Sequence, residues 1–311
     1  MRLKMKNFMA AWFFSVFLIF ASVVAAHAYS SILAFGDSLS DNGYYEYYPG
    51  GTPGNTNPAD IYGFQRYSNG PVWVEYLAED MGLSLLDMAY GGATSGWDNP
   101  AASSATGNAY FDTNTGLQWQ VDVYQSTYGT IAPGTLITLW AGGNDMFNFL
   151  KGMLNDPYTE VSMQNFINGN YNPAAAAANI GLAIETLISL GGSSFIIPNL
   201  GITNSWIEAF DDHLAGVLAS LQLLYPEVDI YALDMNFVVP PDDWIPAEDG
   251  TYLNPNGFTG TFVSWDGTHP TTESHAIIAA AAKRLAVPEP ASIILMVLGF
   301  AGLIGLRRRI K

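Results

Sequence analysis

The chain has 311 residues, 49% of them apolar, 14% aromatic and only 13% charged, a composition that buries a large core and excludes a disordered protein. Lys and Arg number 11 against 28 Asp and Glu, and between Tyr29 and Ala286 only Arg66, Lys151, Lys283 and Arg284 oppose the acids, so the body repels polyphosphate and nucleic-acid binding is excluded. Cysteine is absent, which removes disulfides, thiolate chemistry and cysteine metal sites together.

In chain order, residues 1–28 read first as a secretory signal peptide. Arg2, Lys4 and Lys6 precede an apolar run from Phe8 to Ala26, and Ala26-His27-Ala28 offers small residues at a cleavage point before Tyr29. Residues 29–286 then alternate strand-like and helix-like segments. Ser30 to Phe35 is a short apolar run closed by Gly36, the pattern of a buried strand. Pro71 to Met81 has helical spacing, with Val72, Tyr76 and Leu77 on one side and the acids Glu75, Glu79 and Asp80 mostly on the other. Leu83 to Ala89 and Thr135 to Trp140 read as strands, and Ala174 to Leu190 as a helix stopped by Gly191-Gly192. Ser194 to Ile197 is a fourth strand, Trp206 to Leu224 a long helix, Val228 to Leu233 a fifth strand and Thr271 to Leu285 a closing helix. This alternation predicts an α/β fold, a three-layer α/β/α arrangement around a central, mostly parallel, flavodoxin-like sheet of about five strands. Its ligand site belongs beyond the carboxyl ends of those strands.

Two stretches, Tyr44–Gly70 and Asn99–Asn114, are too long for connectors and read as substrate-binding insertions. The first is crowded with Tyr44, Tyr45, Tyr47, Tyr48, Tyr62, Phe64 and Tyr67, which suit stacking on sugars, lining an acyl groove or packing the loop onto the domain. The chain finishes with Val287-Pro288-Glu289-Pro290, an apolar stretch from Ala291 to Leu306, and Arg307-Arg308-Arg309. A basic stop behind an apolar stretch reads as a transmembrane segment with its cationic end cytoplasmic. These three parts, in this order, resemble the PEP-CTERM sorting tail of Gram-negative bacteria. The resemblance implies recognition by exosortase, transient membrane anchoring through the C-terminal helix, and a place in the cell envelope or the extracellular matrix near exopolysaccharide. Three regions are therefore expected: a signal peptide over 1–28, a folded α/β body over 29–286 and a sorting tail over 287–311.

The chemistry-bearing residues gather at predicted strand ends. Gly36-Asp37-Ser38-Leu39-Ser40-Asp41 places a serine directly after the first strand, where it is either a helix cap or an exposed nucleophile beside backbone N–H groups. A nucleophilic serine needs a base. With His27 in the signal peptide, His213, His269 and His275 remain. His213, beside Asp211 and Asp212, reads as a solvated residue, and His275 as structural. His269 stands in Asp266-Gly267-Thr268-His269, where a carboxylate three residues earlier orients the imidazole and stabilises its charged form. Gly91-Gly92-Ala93-Thr94-Ser95 and Gly142-Gly143-Asn144-Asp145 follow the second and third strands and offer glycine N–H and asparagine amide donors for an oxyanion. No EF-hand ligand spacing is present, so no metal and no cofactor are expected.

Together these blocks resemble those of the SGNH, or GDSL-type, serine esterases and lipases. Four markers match in order: Ser38, Gly92, Asn144, and Asp266 with His269. The segment from Tyr67-Ser68-Asn69-Gly70-Pro71 through Leu77 resembles the secreted lipase-like and plant-like branch. The resemblance implies Ser38 as nucleophile, His269 as base and Asp266 as its orienting acid. It also implies an oxyanion hole of the Ser38 and Gly92 N–H groups with the Asn144 side chain, Gly91 being the substitute for Gly92. The implied activity is cofactor-free hydrolysis of acyl esters through an acyl-enzyme, on a lipid or small ester. Acetylester trimming of exopolysaccharide is the alternative substrate class, and a non-catalytic sugar-binding matrix protein the alternative of another kind.

Overall fold

The computed structural model describes residues 29–43, 66–100, 114–154, 160–201, 204–238, 245–246, 252–253 and 269–287. The expected signal peptide and sorting tail, Asp266, and most of both long insertions lie outside the described residues. Residues Tyr29–Leu285 form one compact unit.

Its centre is a sheet of five strands: β1 (Ser31–Gly36), β2 (Ser84–Asp87), β3 (Thr135–Trp140), β4 (Ser194–Pro198) and β5 (Asp229–Leu233). They lie in the order β2-β1-β3-β4-β5, and every pairing is parallel. β1 and β3 run side by side from Ser31 opposite Thr135 to Gly36 opposite Trp140. All of β3 and β4 is buried, as strands covered on both faces must be, while edge strand β2 is partly open. β6 (Ile245–Pro246) and β7 (Tyr252–Leu253) form a separate antiparallel pair that sequence reading missed.

Eight helices accompany the strands among the described residues. They are α1 (Trp73–Met81), α2 (Leu117–Tyr128), α3 (Gly143–Met153), α4 (Glu160–Ile167), α5 (Pro173–Ser189), α6 (Ser205–Leu224), α7 (Met235–Val238) and α8 (Thr272–Ala286). α1, α5, α6 and α8 occupy the expected positions, each shifted by a residue or two. The ends of α5 and α6 follow from side-chain capping: Asn172 accepts from the Ala175 N–H at 2.8 Å, and Asn204 accepts from Trp206 and Ile207.

The layers follow from right-handed crossovers. The chain moves from β1 one way to β2, then back past β1 to β3 and onward to β4 and β5, so the first crossover helix and the later ones lie on opposite faces. α2 packs on α5 and α5 on α6, whereas α1 is joined to α8, Lys283 Nζ donating to the Asp80 carbonyl at 2.8 Å. β1 and β3 flank the point where the strand order reverses, which is where such sheets bind ligands.

At that point Gly36 ends β1 with φ 151°, and a Cβ there would lie 2.3 Å from the Trp140 carbonyl oxygen. Buried Gln120 of α2 treats Gly36 as a strand neighbour would: its Oε1 accepts from the Gly36 N–H at 3.0 Å and its Nε2 donates to the Gly36 carbonyl at 2.8 Å. Gly36→Ala combines a backbone clash with a left-handed φ, and is expected to lower unfolding free energy by about 2–4 kcal/mol, read as a shift of the urea midpoint at unchanged slope.

Candidate active site

The residues after β1 fold into a single tight turn, Ser40 and Asp41 N–H both bonding to the Asp37 carbonyl at 3.0 Å. Trp73 of α1 donates from Nε1 to Ser40 Oγ at 3.1 Å, pinning the turn from below. Ser38 is buried to 9% exposure, and its Oγ lies 2.9 Å from His269 Nε2. With Nε2 as the unprotonated nitrogen, the Ser38 hydroxyl donates to it, which is the geometry of a serine poised for deprotonation. These two side chains come from positions 231 residues apart.

The loops after β2 and β3 close around the same point. Asn144, in the first turn of α3, donates from Nδ2 to the Ala93 carbonyl at 3.0 Å and to Asp37 Oδ2 at 3.4 Å, so its amide lies between the residue before Ser38 and the residue after Gly92. The Gly91 N–H donates to Asp41 Oδ2 at 2.7 Å. The N–H groups of Ser38 and Gly92 donate to no acceptor among the described residues. Ser38, Gly92 and Asn144, which follow the ends of β1, β2 and β3, therefore converge near His269, which follows no strand of that sheet. Asp266 lies outside the described residues.

Buried carboxylates tie these loops together. Asp41 holds Gly91 as above and the Gly43 N–H at 2.9 Å, and Asp87 accepts from Asn42 at 3.1 Å and Ala89 at 2.9 Å. Asp145 accepts from both the N–H and Oγ of Ser95, each at 2.8 Å, joining α3 to the loop after β2. Burial pushes Asp145 up to about 7 against the hydrogen bonds from Ser95, and pushes Asp87 well above the usual carboxylate range. Asp37 rises to about 6, again by burial, with the Leu39 N–H and the neighbouring His269 opposing the rise. Among the described residues no group of three His, Asp or Glu is placed to hold a metal ion.

Three residues stand against His269: Ser68 and Asn69, which the sequence marks only through the resemblance, and Tyr67, which it also places among the loop's aromatics. The Tyr67 ring lies 5.3 Å from the His269 ring, centroid to centroid. Ser68 Oγ donates to the Pro270 carbonyl at 2.9 Å, and Asn69 Oδ1 accepts from the Thr272 N–H at 2.8 Å. Contacts across some 200 positions leave no local periodicity, so only the block Tyr-Ser-Asn-Gly signalled them. The other histidines stand apart from the Ser38 contact. His213 is exposed on α6, and His275 of α8 is fully buried.

The sequence matches the model of the family described as GDSL-like Lipase/Acylhydrolase over residues 32–282, and that of the PEP-CTERM protein-sorting motif over residues 286–309. It is 34% identical over 143 residues to a phosphatidylcholine-sterol acyltransferase of Aeromonas hydrophila, covering 44% of this chain and 40% of that protein. It is 28% identical over 276 residues to a thermolabile hemolysin of Vibrio parahaemolyticus, covering 80% and 62%. Both matches span less than two thirds of the relative. Among solved structures, an acetylxylan esterase from Geobacillus stearothermophilus aligns with a TM-score of 0.46 at 14% identity, covering 84% of this chain and 95% of that one.

His275 carries a consequence for acid stability. Among the described residues neither of its ring nitrogens has a partner, and burial, then the neighbouring His269, lowers its pKa from 6.5 to about 3. The folded state thus holds this ring neutral where the unfolded chain protonates it, so its penalty is absent above pH 6.5 and grows as pH falls from 6.5 toward 3. Buried Asp37 and Asp145 act in the opposite sense, losing stability as pH rises, so the comparison must be made between proteins rather than along one curve. His275→Leu is expected to match the parent or exceed it slightly at pH 7.5 and to gain on it by about 1.4 kcal/mol per pH unit below 6.5, measured by urea unfolding.

Proposed function

The chain belongs to the GDSL-like lipase/acylhydrolase family, and from that premise we propose that it is an exported serine esterase hydrolysing acyl esters. The observation that carries this reading is the 2.9 Å approach of Ser38 Oγ to His269 Nε2 at the point where the strand order reverses. Ser38 Oγ attacks the ester carbonyl carbon as its proton passes to His269 Nε2. The resulting oxyanion takes the Ser38 and Gly92 N–H groups and one N–H of the Asn144 amide, which gives up its longer contact, 3.4 Å to Asp37 Oδ2. Because the Gly91 N–H is committed to Asp41, Gly92 is favoured as the second backbone donor. The ester C–O bond then breaks, His269 returns the proton to the departing alcohol, and water repeats the attack on the acyl-enzyme, with Asp266 orienting the imidazole. No metal or cofactor enters the scheme.

The α3 surface supports an apolar acyl substrate. Phe147, Leu150, Met153 and Leu154 are all exposed, Met153 by 61% and Leu154 by 77%, so the helix whose first turn bears Asn144 turns an apolar stripe outward. A solvent face of this kind is the reverse of an ordinary amphipathic helix. The PEP-CTERM match, with the signal-like residues 1–28, supports export from a Gram-negative cell and exosortase processing at the envelope. Among the described residues no helix is long and apolar enough to cross a membrane, and the span expected at 291–306 lies outside them. Removal of acetyl groups from exopolysaccharide is the second reading, favoured by the same sorting motif.

Nitrophenyl acetate, butyrate and palmitate separate the two readings. Butyrate and palmitate are expected to turn over faster than acetate, and a clear preference for acetate would move the assignment to deacetylation. Ser38→Ala is expected to reduce kcat by at least roughly 10³-fold and Asn144→Ala by about 10²–10³-fold. Leu150→Glu is expected to slow hydrolysis of emulsified palmitate while leaving soluble butyrate unchanged.

A further inference from the structure

We infer that Tyr67, Ser68 and Asn69 act as positioning residues for His269, a seat that fixes where the base stands relative to Ser38. The inference rests on the esterase reading and extends it. Ser38 and Asn144 follow directly on central strands, so the sheet itself locates them. His269 follows no strand of that sheet and precedes α8 by three residues, so its place must come from elsewhere.

Three consecutive residues supply that place, each with a different kind of contact. Tyr67 lays its ring beside the imidazole at 5.3 Å and 35°. Ser68 fixes the carbonyl of the following residue, Pro270, and Asn69 caps the N–H of Thr272 at the start of α8. Thr272 in turn donates to the Pro71 carbonyl at 2.9 Å and meets the Tyr76 hydroxyl at 2.8 Å, so the start of α8 is latched to the start of α1. The far side of the seat is equally fixed. Arg66 pairs with Glu75 through both Nε and the Nη2 group, and Glu75 also accepts from the Val72 N–H at 2.8 Å.

The ring of Tyr67 also touches the loop that carries the proposed oxyanion donor. A Cβ at Gly91 would lie 2.2 Å from the Tyr67 ring, so only glycine admits the tyrosine there. One aromatic ring therefore stands between Gly91 and His269 and spaces the oxyanion loop from the base. Reacting groups must hold their separation closely, and a shift of about 1 Å costs on the order of 100-fold in rate.

The test is steady-state kinetics of Tyr67→Leu, Tyr67→Phe and Ser68→Ala on nitrophenyl butyrate, with thermal unfolding measured for each. The seat predicts that Tyr67→Leu and Ser68→Ala lower kcat by about 10–100-fold with KM changed less than about twofold, and that Tyr67→Phe, which keeps the ring, stays within about threefold of the parent. Folded variants with parental kcat, a loss confined to KM, or Tyr67→Phe as impaired as Tyr67→Leu would overturn it. Ser68→Ala removes one hydroxyl and keeps the test open if Tyr67→Leu does not fold. A parent protein inert on every ester would instead defeat the esterase reading.

Discussion

The site depends on buried carboxylates that accept backbone N–H groups across the strand ends. Loops leaving a sheet lose the ladder partners of their backbone, yet a buried N–H without an acceptor is costly. Asp41, Asp87 and Asp145 solve this for three neighbouring loops at once, Asp41 holding Gly91, Asp87 holding Asn42, and Asp145 holding Ser95. The solution costs desolvation, seen in the raised pKa of Asp87 and Asp145. The backbone N–H groups that donate to these carboxyls offset part of that cost. By occupying Gly91 and leaving Gly92 without a described acceptor, the same clips also sort the donors available to a ligand.

The two sides of the site are therefore built differently. The Ser38 side hangs on the sheet, with Gly36 pressed against Trp140 and bracketed by Gln120. The His269 side hangs on contacts from the Tyr67–Asn69 segment and on the joined ends of α1 and α8. Behind His269, the buried ring of His275 makes no hydrogen bond to the described residues, and burial lowers its pKa.

Central strands were legible in the sequence because strands buried on both faces read as near-continuous apolar runs, as Ile32–Phe35 and Leu136–Trp140 do. Strand β2 is shorter than its apolar run, since Asp87 turns its carboxylate to the Ala89 and Asn42 N–H groups instead of prolonging a strand. Helix α2 escaped notice because its buried side includes Gln118 and Gln120, polar residues inside for their hydrogen bonds. Helix α3 escaped for two reasons: it opens on turn-forming Gly-Asn-Asp, and its outward face is apolar, which blurs the helical period. Ser38, Gly92 and Asn144 were readable as strand-end motifs, and His269 through the block Asp266-Gly267-Thr268-His269. The clips were not, since an aspartate in sequence looks the same whether solvated or buried, and Tyr67, read for stacking, acyl lining or loop packing, gave no sign that its ring meets His269.

The separation of 231 positions between Ser38 and His269 sets the order in which this molecule becomes whole. Local helices and the β1–β2 crossover close short loops early, whereas bringing α8 back to α1 closes nearly the full length of the body. A chain emerging from its N-terminus delivers Ser38 first and His269 almost last, so the proposed nucleophile lacks its proposed base until α8 docks. Hydrolytic competence then coincides with completion of the fold, and its first appearance during refolding is a clock for the final docking event.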